Sequence, residues 1–220
     1  MKILLVGASS DIAVEFYNTH NVNYNIIRLS SNPDFSDIHD FNVQNENSFI
    51  DEENIDGIIY FPGSINLKPF KRLKIENFRE DFEINVVGLL KILKFYESRL
   101  SEKSSLVFIS TVAANLGMPF HSSVSVSKSA IEGLTKSLAA EWAPKVRVNC
   151  IAPSLVETKL AKRFFRTEDQ KEMMNQKHPL KRTGLPEDIV NALDFLISNK
   201  SSWISGQILN VDGGMSTLKI

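Results

Sequence analysis

The chain has one cysteine and no long apolar run, and neither sign of charge dominates. With Cys150 alone no internal disulfide can form, which fits a reducing compartment. Its place in the apolar run 146–152 reads as a small buried core residue. The opening Met1-Lys2-Ile3-Leu4-Leu5-Val6-Gly7 is far too short for a membrane span or a signal peptide. Lys and Arg number 25 against 26 Asp and Glu, mixed along the chain to a formal net charge of -1. That balance offers neither a basic patch for nucleic acid nor a charged tail. No repeat, interdomain linker or metal-ligand cluster is visible. The expectation is a cytoplasmic protein with no membrane, nucleic-acid or metal partner.

What is there is ordinary globular material, 43% hydrophobic and 23% charged, and 220 residues suit one domain with one core, 1–220. Lys2 to Val6 reads as a strand buried on both faces, stopped by Gly7. Gly7-Ala8-Ser9-Ser10-Asp11-Ile12-Ala13 turns into a helix through about His20, and Tyr24 to Ser30 reads as a second strand. The span 21–54 is rich in asparagine and predicts compact or irregular loops. Ile55 to Gly63 is read as the fourth strand and its turn. Phe78 to Tyr96 predicts a long helix, with Phe82, Val86, Leu89, Leu90 and Leu93 at helical spacing. A strand through Ile109 leads by a loop to a helix from Val124 to Trp142. Then come a strand at Val146 to Ile151, a charged helical stretch at Lys159 to Lys177, and a helix from Pro186 to Ile197. Gly206 to Gly214 supplies the closing strand and turn. Alternating buried strands and helices predict a doubly wound (Rossmann) α/β fold, a parallel sheet with helices on both faces.

Two stretches carry chemistry. A strand, a glycine turn and a helix start form an anion site, because unpaired backbone amides and the helix dipole face it. Gly7, Ser9, Ser10, Asp11 and Ile12 stand there. Asp11 brings a negative charge to the place, and it is also a good helix N-cap. Further on, Thr111 puts a hydroxyl at the end of a buried strand, while residues 124 and 128 stack on one face of the next helix.

The segment Ile109-Ser110-Thr111 with Val124-Ser125-Val126-Ser127-Lys128 resembles the strand-Ser and Tyr-x-x-x-Lys of the short-chain dehydrogenase/reductase family. The similarity continues through 130–139, Arg147-Val148-Asn149-Cys150-Ile151-Ala152-Pro153 and 206–214. The resemblance implies that tyrosine exchanges a proton with the substrate oxygen as hydride moves, its phenol pKa lowered by the lysine. Here that position is Val124, which has no proton to give. Thr111 matches the serine, Lys128 the lysine, and Asn85 the asparagine that anchors a water near the lysine. The family's three turn glycines are reduced to Gly7, with Asp11 and Ala13 in the other two places.

The resemblance also implies the cofactor contacts. The end of the second strand meets the adenosine ribose, and Ser30 and Ser31 stand there without an acid, with Arg28 two residues back. That leans slightly to NADP over NAD. Asn42 and Val43 resemble the pair flanking adenine. Of the usual Asn-Asn-Ala-Gly after the fourth strand only Gly63 matches, and Tyr60 is weighed as a replacement phenol. Pro153-Ser154-Leu155-Val156-Glu157-Thr158 resembles the motif in which Val156 and Thr158 hold the nicotinamide carboxamide. His121 could supply the proton, and Ser123 and Ser125 are weaker candidates. Relatives pair the two long helices across dimer interfaces, so a homodimer or homotetramer is expected.

Three functions follow: an NAD(P)-dependent oxidoreductase acting on a carbonyl or secondary alcohol with an atypical active site, a catalytically impaired NAD(P)-binding sensor or partner subunit, or a fold without nucleotide. Substrate and reaction direction lie beyond the sequence.

Overall fold

In the computed structural model, which describes residues 1–219, six strands form one sheet in which every pair is parallel. They are β1 (Lys2–Val6), β2 (Asn25–Leu29), β3 (Ile55–Tyr60), β4 (Leu100–Ile109), β5 (Val146–Pro153) and β6 (Ile208–Val211), in the order β2-β1-β3-β4-β5-β6. The helices are α1 (Asp11–His20), α2 (Ile75–Phe82), α3 (Gly88–Tyr96), α4 (Ser122–Trp142), α5 (Glu168–Gln176) and α6 (Pro186–Ile197). The chain runs outward from β1 in one direction to β2 and in the other to β3. The order of a doubly wound sheet therefore reverses beside the glycine turn, where such sheets bind ligands.

Successive strand residues serve opposite faces, and both faces are buried. Leu4, Val6, Ile58, Leu106, Phe108 and Val148 pack with Leu89, Ile92 and Ile131 on one side. Ile3, Leu5, Ile59, Val107 and Ile151 pack with Phe16, Ile189 and Leu193 on the other. The near-continuous apolar runs of the strands have this two-sided burial as their cause.

Three expectations need correction. Ile55–Tyr60 is the third strand and not the fourth, because residues 30–54 form no strand. Short 3-10 turns at Pro33–Phe35 and Glu46–Ser48 are capped by the side chains of Asn32 and Asn45, which offer the backbone an alternative to a strand ladder. The helix expected from Phe78 begins at Ile75 and carries a π turn at Glu83–Val87, between α2 and α3, that includes Asn85. Val86, Leu89 and Leu93 are buried, while Phe82 and Leu90 face outward. The stretch 159–177 is a 3-10 segment at Lys159–Phe164 followed by α5, whose cap is Thr167. Among the described residues no helix is long and apolar enough to cross a membrane. No group of three His, Cys, Asp or Glu side chains there could hold a metal ion.

Candidate active site

The glycine turn is built by two constraints on Gly7. Its φ is +79°, and a Cβ there would lie 2.8 Å from the ring of Pro62. Only glycine meets both. Ser10 caps α1, its Oγ accepting from the Ala13 amide at 3.2 Å. The capping alternative for Asp11 is thereby excluded: Asp11 is the first helical residue and its side chain leaves the turn. Its carboxylate accepts from the Lys159 backbone amide and lies 3.4 Å from Lys159 Nζ. Ser9 and Ile12, on either side of this start, are half-buried.

At the edge of the sheet Arg28 is not free. Its Nε donates to Asp37 Oδ1 at 3.0 Å, its backbone amide donates to Asp37 Oδ2 at 2.8 Å, and its guanidinium lies 4.5 Å from the centre of the Tyr17 ring. The hydrogen bond to Asp37 holds the guanidinium pKa above its ordinary value. An acid does stand beside β2, brought back from seven residues after Ser30. Ser30 is buried with its Oγ accepting from the Asn32 amide at 3.1 Å, and Ser31 is exposed. Asn42 folds its Oδ1 onto the Gln44 amide, and Val43 packs where a Cβ on Gly88 would meet it at 3.2 Å.

Lys128, Asn85 and Gly63 come together. Lys128 is 7% exposed, its Nζ donates to Ile109 O at 2.9 Å, and burial lowers its pKa to about 8. Asn85 Nδ2 donates to Asp81 O at 2.7 Å, while its buried Oδ1 has no partner. A Cβ on Gly63 would lie 3.0 Å from Asn85 Oδ1 and 3.2 Å from Lys128 Nζ. The two polar ends thus face one space beside an exposed glycine. Thr111, two residues beyond the carbonyl that holds Lys128, caps the next 3-10 turn through Oγ1.

Position 124 holds a valine that is 2% exposed. Ser125 Oγ is engaged by Ala113 O at 2.8 Å, and Ser123 Oγ by Asp81 Oδ2 at 2.5 Å. His121 precedes α4; its Nδ1 donates to Pro119 O at 2.7 Å, so Nε2 is the nitrogen left for other partners. Tyr60 does not reach the site. It is 1% exposed among the residues under α3, donates to Ile84 O at 3.0 Å, and burial drives its pKa well above the usual phenol value.

After β5 the chain turns at Pro153. Ser154 Oγ is 2.9 Å from His178 Nε2 and 3.0 Å from Met215 Sδ. Val156 bridges to Gly184, and Thr158 Oγ1 donates to Val156 O at 3.4 Å.

Sequence reasoning passed over Asp81, Asp37 and Lys159. Asp81 carried a legible signal, standing four residues before Asn85 on the same helical face. Asp37 is set by a loop that returns to β2 and Lys159 by the segment that leaves β5, and neither carried one.

Parallel strands, a glycine turn at the point of reversed order and a buried lysine at the carboxyl ends of the strands define a doubly wound α/β protein. The family model described as enoyl-(acyl carrier protein) reductase matches residues 38–216, and the chain belongs to the short-chain dehydrogenase/reductase family. It is 39% identical over 133 residues to tropinone reductase-like 3 of Erythroxylum coca, covering 60% of this chain and 52% of that protein. It is 37% identical over 134 residues to dehydrogenase/reductase SDR family member 4 of Rattus norvegicus, covering 60% and 48%. The match therefore spans about half the length of these curated relatives. Aldohexose dehydrogenase of Thermoplasma acidophilum, in ligand-free form, is similar at a TM-score of 0.89 and 26% identity over 99% of this chain and 95% of that one. A 4-hydroxyisoleucine dehydrogenase complexed with NADH has a TM-score of 0.85 at 24% identity over 100% of both chains.

Proposed function

We propose that residues 1–220 form one cytoplasmic short-chain oxidoreductase domain that binds NAD(P)(H) and exchanges hydride with a carbonyl or secondary alcohol, with Val124 standing where the family has its tyrosine. The observation that carries this is the pair of buried polar groups, Lys128 Nζ and the unpartnered Asn85 Oδ1, facing the same space beside Gly63. A buried lysine and an orphan carbonyl oxygen are costly unless a ligand or water uses them.

The residues present fit a dinucleotide. The Gly7 and Ser10 amides are spent on Leu29 O and Gly7 O, so the amides of Ser9 and Ile12 would hold the diphosphate, with Gly7 and the Ser10 hydroxyl beside them, once Asp11 is accommodated, and Ser30 and Ser31 would hold a ribose. Asn42 and Val43 would flank the adenine, and Arg28 stands nearby in its pair with Asp37. Gly63 and Lys128 would hold the second ribose; Pro153, Val156 and Thr158 would hold the nicotinamide carboxamide. Bound there, the reduced cofactor supplies hydride. Thr111 offers a hydroxyl to the substrate oxygen, and Lys128 with Asn85 orients ribose and water. The proton comes from water or from His121. General acid assistance is worth ~10²- to 10⁴-fold, so turnover without the phenol is slow.

A second reading, a catalytically impaired dinucleotide-binding sensor or partner subunit, is favoured by the Asp11 carboxylate tied across to Lys159. A groove between α3 and α4, lined by Leu90, Leu93, Leu134, Leu138 and Trp142 together with the charged Lys94, Glu97 and Glu141, supports a homodimer or homotetramer on that face.

Titration with NADPH and with NADH, following nicotinamide fluorescence and melting temperature, tests the proposal. Binding of either supports it. No binding at millimolar cofactor ends both nucleotide readings.

A further inference from the structure

Among the described residues, Asp81 is the one acidic side chain that is 0% exposed. It has no lysine or arginine partner within salt-bridge distance there. Its contacts are neutral donors: Ser64 Oγ at 2.5 Å and Asn66 Nδ2 at 2.9 Å to Oδ1, and Ser123 Oγ at 2.5 Å to Oδ2. A carboxylate is acceptor-only, so each of these groups must point its hydrogen at Asp81.

That requirement propagates. With its proton committed to Asp81, Ser64 Oγ has only lone pairs left, and Asn85 Nδ2 donates to it at 3.3 Å. The same Nδ2 donates to the backbone oxygen of Asp81 at 2.7 Å. These two contacts, with a third to Ser64 O at 3.5 Å, hold the amide nitrogen on the Asp81 side and turn Oδ1 towards Gly63 and Lys128. Ser123, tied to the other carboxylate oxygen, sits in the first turn of α4, five residues before Lys128.

We propose that Asp81 is a positioning residue for the Asn85 and Lys128 pair: its carboxylate orients Ser64, which together with the backbone oxygens of Asp81 and Ser64 holds the Asn85 amide nitrogen, and its negative charge supports the Lys128 ammonium. The role in catalysis rests on the oxidoreductase reading; the charge coupling does not. The titratable groups that bear on Lys128 are Asp81 from α2 and Cys150 from β5. The Cys150 thiol is pushed up to about 12 by burial and stays neutral near pH 7. Glu132, one turn further along α4, is taken up by Ser110 Oγ and Asn115 Nδ2, each at 2.7 Å.

The test uses the whole chain, free of cofactor, with 13C-labelled lysine followed by NMR against pH, the Lys128 signal assigned by its loss in Lys128→Met. Asp81→Asn keeps the shape and removes the charge. The Lys128 midpoint is expected to fall by ~1 unit. An unmoved midpoint in folded Asp81→Asn overturns the proposal. If that variant does not fold, Asp81→Ser, which keeps a hydroxyl for Asn66 and Ser123, is titrated instead, and an unmoved midpoint there overturns it equally. The readout needs no bound nucleotide, so failure of the oxidoreductase reading would show separately, as absent NADH and NADPH binding with the Lys128 shift intact.

Discussion

The Asp11 carboxylate and the Lys159 ammonium lie 3.4 Å apart, and the Lys159 backbone amide donates to the same carboxylate. The contact joins the glycine turn to the segment after β5, the two parts of the chain between which a diphosphate would lie. A carboxylate there repels a phosphate and also occupies a cation and an amide that could hold one. Asp11→Gly is therefore expected to tighten NADH and NADPH binding by ~10-fold, or about 1.4 kcal/mol. Fluorescence titration of the two proteins in low salt reads the effect, and equal affinities would mean that the contact does not obstruct the cofactor.

Arg28 is held by Asp37 and by the Tyr17 ring, so in this arrangement it is not available to a 2'-phosphate. The unmodified chain is expected to bind NADPH no more tightly than NADH. Asp37→Ala releases the guanidinium and removes the nearby acid, shifting the NADPH to NADH affinity ratio upward by roughly 10-fold. The pair is near the surface and contributes only ~0.2–1 kcal/mol, so the melting temperature should hardly move. Isothermal titration of both cofactors against both proteins decides.

Val124→Tyr places a phenol one helical turn from Lys128. With Thr111, Lys128 and Asn85 in place, carbonyl reduction should accelerate by ~10²- to 10⁴-fold. Val124 is 2% exposed, so its neighbours must move to admit the ring. A steady-state assay over a panel of aldehydes and ketones measures the gain. No gain with cofactor shown bound would favour the sensor reading.

Lys128 carries a cost that pH exposes. Its pKa is lowered from 10.5 to about 8 by burial, so below pH 8 a charged ammonium is held in the interior. Between the two values the unfolded chain binds more protons, and stability from this group rises with pH across that window. Lys128→Met removes the buried charge and also the hydrogen bond to Ile109 O. At pH 7 the variant should be more stable by about 2 kcal/mol, with the advantage closing as the pH approaches 10.5. Urea unfolding at pH 7 and pH 10 compares the two proteins. A variant less stable at pH 7 would show that burial costs Lys128 less than the hydrogen bond returns.

The sheet was legible because its cause is local. Leu4, Ile58 and Val107 lie in apolar runs, and such runs ended by glycine or polar turns mark strands buried on both faces whatever the rest of the chain does. The Pro186 start of α6 and the glycine turn after β1 are equally local signals. The span 30–54 was legible only as irregular. Its asparagine side chains hydrogen-bond their own backbone, and the missing strand follows from that competition rather than from hydrophobic pattern.

Sequence by itself determined the parallel α/β architecture and the family blocks, since each depends on residue type and short-range spacing. Tertiary structure alone decided that Asp11 reaches Lys159 and Arg28 is held by Asp37, and that Tyr60 faces the core and Asp81 gathers Ser64, Asn66 and Ser123. These are contacts of charged and polar groups from different elements. Their energies depend on distance, burial and hydrogen-bond geometry, which a linear pattern does not carry.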